Sequence, residues 1–299
     1  MKPNDKTETS IVTVDNPPVL QENSIDTKKN HKKVVNDTST QRQLLNLAKQ
    51  FSLADGLRAP EKQRPIIERV ARHDQTCKIR RQKNLEAIIY QALEYSSEDE
   101  ISDRADPDWF YNFTVLAENV SNPSMQALWA KILAGEIAKP GSFSFKALDV
   151  FKSMSMSDAK LLAKARSLSV KDVNNNTMRI ISGGYQKPNL LSLIVGHKEH
   201  RLNLAEFGLN YSDLLALAEN KLLFIQEAET KPLLKNETLV FDYNGAPLSL
   251  SYKTKNACLN FYKFTAIGNE LSQLIANSPK EAYHSAFKEI LSPLYTLSP

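Results

Sequence analysis

From Ile66 to Tyr95 the chain carries neither glycine nor proline, and apolar residues gather at the two ends of that stretch. Ile66 and Val70 stand at one end, and Leu85, Ile88, Ile89, Ala92 and Leu93 at the other. A run of this length without a breaker, with apolar positions at helical spacing, predicts one long helix. Its middle, Arg72 to Lys83, is charged and lacks an apolar stripe, so that part is expected to be solvated or to meet a partner. Charge is also divided along the chain. Arg58, Lys62, Arg64, Arg69, Arg72, Lys78, Arg80, Arg81 and Lys83 outnumber Glu61, Glu68 and Asp74. Beyond them, Glu86, Glu94, Glu98, Asp99, Glu100, Asp103, Asp106 and Asp108 face Arg104 alone. A basic block abuts an acidic one.

Around this helix the sequence reads as a leader and two modules. Residues 1–38 are rich in Asn, Asp, Thr, Lys and Pro, too polar to offset the entropy of ordering, and are expected to be a disordered leader. Residues 39–170 are expected to form a helical module. It opens with an amphipathic helix from Thr40 to Asp55 on Leu44, Leu47, Ala48 and Phe51, stopped at Gly56. Asp106-Pro107 and Asn122-Pro123 each place a capping side chain before a proline at the first helical position. They start helices that carry Trp109, Phe110, Phe113 and Leu116, then Met125, Leu128, Trp129, Ile132 and Leu133. Trp109 and Trp129, aromatic residues at helical spacing beside Leu and Ile, are expected core anchors. Two short helices, 143–154 and 157–168, complete the module.

After residue 170 the texture changes to a smaller α+β module, 171–299. Asn174-Asn175-Asn176 and Gly183-Gly184 read as breaks, the latter as a turn. Strands are expected at 178–181, 190–195, 222–226 and 258–264, and a hairpin at 238–252 around Asn244-Gly245, a strong type I′ signal. Helices are expected at 211–220, from a Thr265 cap through Ile275, and from Pro279 onward. The fold class is therefore α+β and predominantly helical.

A chain of 299 residues that is 41% hydrophobic can bury a substantial core. Its two cysteines, Cys77 and Cys258, lack the spacing of a disulfide framework or a zinc site, which fits the reducing cytoplasm. The basic surroundings of Cys77 favour its thiolate. No apolar run approaches a membrane span, and no signal or transit peptide is visible at the start. Neither catalytic nor cofactor motifs assemble: His197 and His200 have a metal-pair spacing but sit in an expected turn, and Glu136 lacks a partner carboxylate and is expected to cap or pair locally. No cofactor or metal is expected, and an enzyme is disfavoured.

Two resemblances follow from longer motifs. The first covers roughly 80–155: Arg81-Gln82-x-Asn84-Leu85-Glu86-x-Ile88-Ile89, Asp106-Pro107-Asp108-Trp109-Phe110, Gln126-x-Leu128-Trp129-Ala130-Lys131-Ile132-Leu133-Ala134-Gly135-Glu136 and Lys139-Pro140-Gly141-Ser142-Phe143-Ser144. This region resembles a bacterial domain-of-unknown-function family, number 2806, which implies no particular chemistry. The segment Leu128 to Glu136 is also similar to helical domains of some abortive-infection and phage-defence proteins. In the second, Tyr262-x-Phe264-Thr265-x-x-Gly268-x-Glu270-Leu271 is similar to the last strand and following helix of winged-helix regulators. That implies a recognition helix at 211–221, where Asp213 and Glu219 oppose Lys221 and repel phosphate.

These readings combine into a non-enzymatic interaction or regulatory protein, of a stress or phage-defence kind, that self-associates or docks a protein partner. The alternative is a nucleic-acid-binding regulator. Its contacts would come from the 58–83 block, chiefly Arg72, Lys78, Arg80, Arg81 and Lys83, and from the wing lysines Lys253 and Lys255; internal neutralisation by the acidic run makes that binding weak. Brief trypsin digestion is expected to cut at Lys28, Lys29, Lys32 and Lys33 before any site in the folded core. If those four bonds survive as long as the core does, the leader is docked rather than free.

Overall fold

A computed structural model describes residues 39–96, 104–187, 199–235 and 237–298. The expected leader, the 190–195 strand, His197 and the acidic residues Glu98, Asp99, Glu100 and Asp103 lie outside the described residues. The chain divides after Gln50 into two units. In the first, α1 (Thr40–Gln50) keeps Leu44 and Leu47 exposed. Just beyond it, Ser52 adopts a positive φ and the chain continues as a 3-10 turn at Ala54–Leu57, which is why the helix stops short of Asp55.

The second unit, from Phe51 onward, starts with a helical layer: α2 (Ile66–Tyr95), α3 (Pro107–Ala117), α4 (Pro123–Ala138), α5 (Phe145–Ser153) and α6 (Met156–Ser167). Each short helix begins on a side-chain cap. Asp106 accepts from Asp108 N, Asn122 from Ser124 N and Met125 N, and Ser144 from Ala147 N, while Ser155 and Asp158 form a capping box. The buried pair Asn84 and Gln126 ties α2 to the α3–α4 turn. Asn84 Nδ2 donates to Glu118 O at 2.8 Å and Ser121 Oγ at 3.0 Å, and Gln126 Nε2 donates to Val120 O at 2.9 Å. Aromatic rings form the centre of the layer: Trp109 stacks on Phe113 at 5.3 Å, Phe113 meets Trp129 at 5.4 Å and Trp129 meets Phe151 at 5.1 Å.

The helices give way to a sheet at Ser169. The strands are β1 (Ser169–Asp172), β2 (Thr177–Gln186), β3 (Glu199–Arg201), β4 (Ala228–Glu229), β5 (Thr238–Tyr243), β6 (Ala246–Tyr252), β7 (Ala257–Lys263) and β8 (Tyr295–Ser298). All pairings are antiparallel, in the order β4-β7-β2-β1-β5-β6-β8 with β3 added to β2. The β5–β6 hairpin turns on Asn244 and Gly245, both at positive φ, as a type I′ turn demands. The three asparagines at 174–176 form the β1–β2 turn, where Asp172 accepts from Asn174 N and Asn175 N. Around the sheet lie α7 (Tyr211–Glu219), α8 (Ala266–Ser272), capped by Thr265, and α9 (Glu281–Leu291). The mostly helical α+β class is the observed one, and no helix among the described residues is long and apolar enough to cross a membrane.

Three expectations need correction. Gly183-Gly184 is not a turn but the middle of β2, where the neighbouring backbone comes too close for a side chain. Residues 222–226 form no strand, because Leu223 makes a single bridge to Phe264. For the winged-helix resemblance the strand pairing is different from that topology: β7 joins β2 and β4, whereas the β5–β6 hairpin joins β1 and β8. Both β2 and β1 stand between β7 and the hairpin. The core runs without interruption from Ile88 through Trp129, Val170 and Phe264 to Tyr295, across position 170.

Trp129 is 0% exposed and its indole N–H has no hydrogen-bond partner among the described residues, so the ring contributes by packing alone. Trp129→Ala is expected to lower stability by about 3 to 5 kcal/mol in denaturant melts. A loss under about 1 kcal/mol, typical of an ordinary point mutant, would contradict its role as an anchor.

Candidate functional site

The basic residues singled out from the sequence are divided between two places. Arg72, Lys78, Arg80, Arg81 and Lys83 lie on α2, whereas Lys253 and Lys255 lie in the turn between β6 and β7. At 3.6 residues per turn, Arg72 and Lys83 share one side of α2, and Lys78 and Arg81 fall a third of a turn or more away. Two of the five are engaged within the chain. Arg80 stacks over the Phe51 ring at 4.7 Å, and Arg81 pairs with Glu118 at 3.5 Å. Glu118 belongs to the end of α3, so this partner is not the acidic run that the sequence pointed to. Lys253 Nζ donates to Ser292 O at 2.6 Å, while Arg72, Lys78, Lys83 and Lys255 keep exposed side chains.

The first half of α2 is strapped by the segment before it. His73 Nδ1 lies 2.7 Å from Phe51 O, and Ser52 Oγ is 2.8 Å from Thr76 Oγ1. Half-buried Cys77 sits one turn on, with its sulfur 3.7 Å from His73 Nε2. No group of three or more His, Cys, Asp and Glu among the described residues is arranged to hold a metal ion.

Glu136 closes the loop that follows α4. Its carboxylate, 3% exposed, accepts from Gly141 N at 2.7 Å and Phe143 N at 2.9 Å, so it is a local cap. Trp109 Nε1 donates to Phe143 O at 2.6 Å, and Gly135 leaves room for the Phe143 ring. This motif therefore builds a loop, beside a depression of about 500 Å³ lined in part by Lys131, Gly135, Lys139 and Phe143.

A second cleft, of about 380 Å³, opens on the sheet between β2, β3, β4 and β7. Its residues come together through strand register: Gly183 lies opposite both Arg201 and Asn260, and Asn260 lies opposite Glu229. A bulge in β2 between Ile181 and Gly183 occurs at this row. The polar walls are cross-linked. Ser182 Oγ donates to Glu227 Oε1, and Arg201 bridges Glu199 at 2.7 Å and Glu227 at 3.2 Å. Glu229 accepts from Lys187 Nζ at 2.7 Å and from the Tyr185 hydroxyl. Lys187 and then Tyr185 hold the Glu229 carboxyl below its usual range, and the same carboxylate keeps the Tyr185 phenol protonated far above its ordinary value. Burial raises the Cys258 thiol nearby.

The family model described as Protein of unknown function (DUF2806) matches residues 68–288. The chain belongs to this family. The matched span takes in most of α2, the Trp129 to Phe143 motif and every residue of the sheet cleft. No curated protein and no solved structure matches the chain significantly. Sequence reasoning missed the cleft residues because they arrive from four strands with no common spacing, and their one local trace was the paired glycines. A Cβ on Gly183, whose φ is +156°, would stand 2.2 Å from His200 O. Gly183→Ala is therefore expected to lower stability by about 1 to 3 kcal/mol, the range for a strained backbone position, in denaturant melts. An unchanged midpoint would show that β3 yields freely.

Proposed function

We propose that this member of the DUF2806 family is a non-enzymatic interaction protein, cytoplasmic and bacterial, that self-associates through α2. The observation that carries the reading is the outer side of that helix. Ile79, Glu86, Tyr90 and Leu93 recur on the side opposite the buried Asn84, Ile88 and Ala92, and Tyr90 and Leu93 are 67% and 69% exposed. Exposed apolar side chains in a row mark an association surface. Charge selects the occupant. From Ile66 to Lys83 α2 carries Arg69, Arg72, Lys78, Arg80, Arg81 and Lys83 against Glu68 and Asp74, and its last turns carry Glu86 and Glu94, so a second copy laid antiparallel brings the acidic end of one helix towards the basic part of the other. The free Cys77 and Cys258 agree with a reducing compartment. Likeness of the Leu128 to Glu136 segment to helical domains of abortive-infection and phage-defence proteins supports a role in a stress or defence response.

A second reading, binding of nucleic acid, is favoured by the exposed Arg72, Lys78 and Lys83. The engagement of Arg80 with Phe51 and of Arg81 with Glu118 weighs against it.

Light scattering behind size exclusion is expected to give a dimer or higher oligomer that Tyr90→Glu with Leu93→Glu converts to monomer without lowering the melt. A chain that stays monomeric at all concentrations overturns the self-association. Labelled duplex at about 50 mM salt, where counterion release makes phosphate contacts strong, is expected to bind only weakly. Arg80→Glu with Arg81→Glu is expected to disturb folding or oligomer size more than duplex affinity. Nanomolar binding abolished by those substitutions, with melt and size unchanged, favours the nucleic-acid reading instead.

A further inference from the structure

We propose that the cleft between β2, β3, β4 and β7 is a binding site for a small organic cation carrying an alkylammonium or guanidinium group. Two independent observations meet there. The first is a polar side chain without a protein partner: Asn260 is 6% exposed, lines the cleft on the face it shares with Tyr185, Arg201 and Glu229, and its carboxamide makes no hydrogen bond among the described residues. Buried amides are ordinarily bonded, and one left open towards a cavity has both an acceptor and two donors to offer a ligand.

The second observation is the charge balance of the walls. Glu199, Glu227 and Glu229 face Arg201 and Lys187, and both cations are already held, Arg201 by Glu199 and Glu227 and Lys187 by Glu229. One negative charge is left over, in a concave site where an added cation needs no displacement of the existing pairs. Glu227 is fixed from two sides, by the Ser182 hydroxyl and by Arg201, so its carboxylate is ordered before a ligand arrives. An anion would meet three carboxylates. A metal ion would lack a ligand set, since the described residues hold no suitable group of three. A volume of about 380 Å³ lies at the lower end of small-molecule pockets. The ligand's cationic head is placed between Glu227 and the Asn260 carbonyl oxygen, and its alkyl chain lies along Ala228 and the Tyr185 ring.

The test uses the full chain with agmatine and spermidine as probes, followed by calorimetry and thermal shift, with inorganic phosphate and ribose as controls. Agmatine or spermidine is expected to bind and raise the melting temperature, and the controls are expected to do neither. Asn260→Ala is expected to weaken binding by about tenfold or more, the loss of one hydrogen bond to a charged group. Glu227→Gln is expected to weaken it further. Should Glu227→Gln fail to fold, because it disturbs the Ser182 and Arg201 contacts, Asn260→Ala decides alone, since that side chain holds nothing else. No binding of either cation, equal binding of phosphate or ribose, or unchanged affinity in Asn260→Ala overturns the proposal.

Discussion

Glu136 is a carboxylate withdrawn almost wholly from water, and burial of such a group is unfavourable unless hydrogen bonds replace the lost hydration. Here the replacements are two backbone N–H groups, those of Gly141 and Phe143, so the loop after α4 has one conformation compatible with the buried charge. Much of the structure follows from that conformation. Phe143 is delivered to Trp109, whose indole donates to its carbonyl, and Trp109 in turn starts the ring stack that runs through Phe113 and Trp129 to Phe151. The next residue, Ser144, caps α5 and donates from both its N–H and its hydroxyl to Glu270 on α8. A single side chain on α4 thus orders the helical layer and its connection to the sheet. Within the Lys139 to Ser144 stretch, Gly141 and Phe143 donate to Glu136, Ser142 donates to Lys139 O, and Ser144 reaches Glu270.

A second connection joins the two textures of the chain. Arg166, near the end of α6, reaches Asn244 Oδ1 at 2.8 Å and Asn277 Oδ1 at 2.7 Å, while Tyr243 donates to Ser167 O at 2.9 Å. Burial works against the charge on Arg166, the stronger effect, and Asp242 supports it. The Asn244-Gly245 turn is therefore more than a hairpin signal: its asparagine receives the guanidinium that anchors the last helix of the layer. Because the core continues across position 170, this contact lies inside one compact unit.

Local signals were legible and non-local ones were not. Asp106 and Asn122 were readable as caps because capping depends on residues two or three positions away, and Asn244-Gly245 because a type I′ turn is set by its own dihedrals. The family motif was readable because Glu136, at the end of α4, and Gly141 and Phe143, in the loop after it, are close together in the sequence. By contrast β8 is a short stretch whose partner, β6, lies far along the chain, and nothing near β1 announces that beyond its neighbour β2 it also pairs with β5. The winged-helix resemblance rested on the motif from Tyr262 to Leu271, and a motif of one strand and one helix does not say which strand pairs with which. The reading of the basic block was incomplete for the same reason: nothing in the sequence near Arg80 or Arg81 says that Phe51 and Glu118 will meet them.

The sheet cleft shows how one irregularity organises chemistry from several strands. Regular pairing alternates side chains between the two faces and already puts Tyr185, Glu199, Arg201, Asn260 and Glu229 on one of them; what it does not give is a further side chain out of the alternation. The bulge at Ile181 to Gly183 supplies it. Ser182, the extra residue, turns its hydroxyl to Glu227, and Gly183, which lacks a side chain, lets the backbone of β3 approach and bring Arg201 into line with Asn260. A larger residue at position 183 would push β3 away and separate Arg201 from Glu227. The carboxylates then hold their arrangement through shared donors, Arg201 for two of them and Tyr185 with Lys187 for the third. Each acid has an internal partner and the Asn260 carboxamide has none among the described residues, so the cleft combines carboxylates already held in place with an open amide, as a preformed site for a small polar molecule requires.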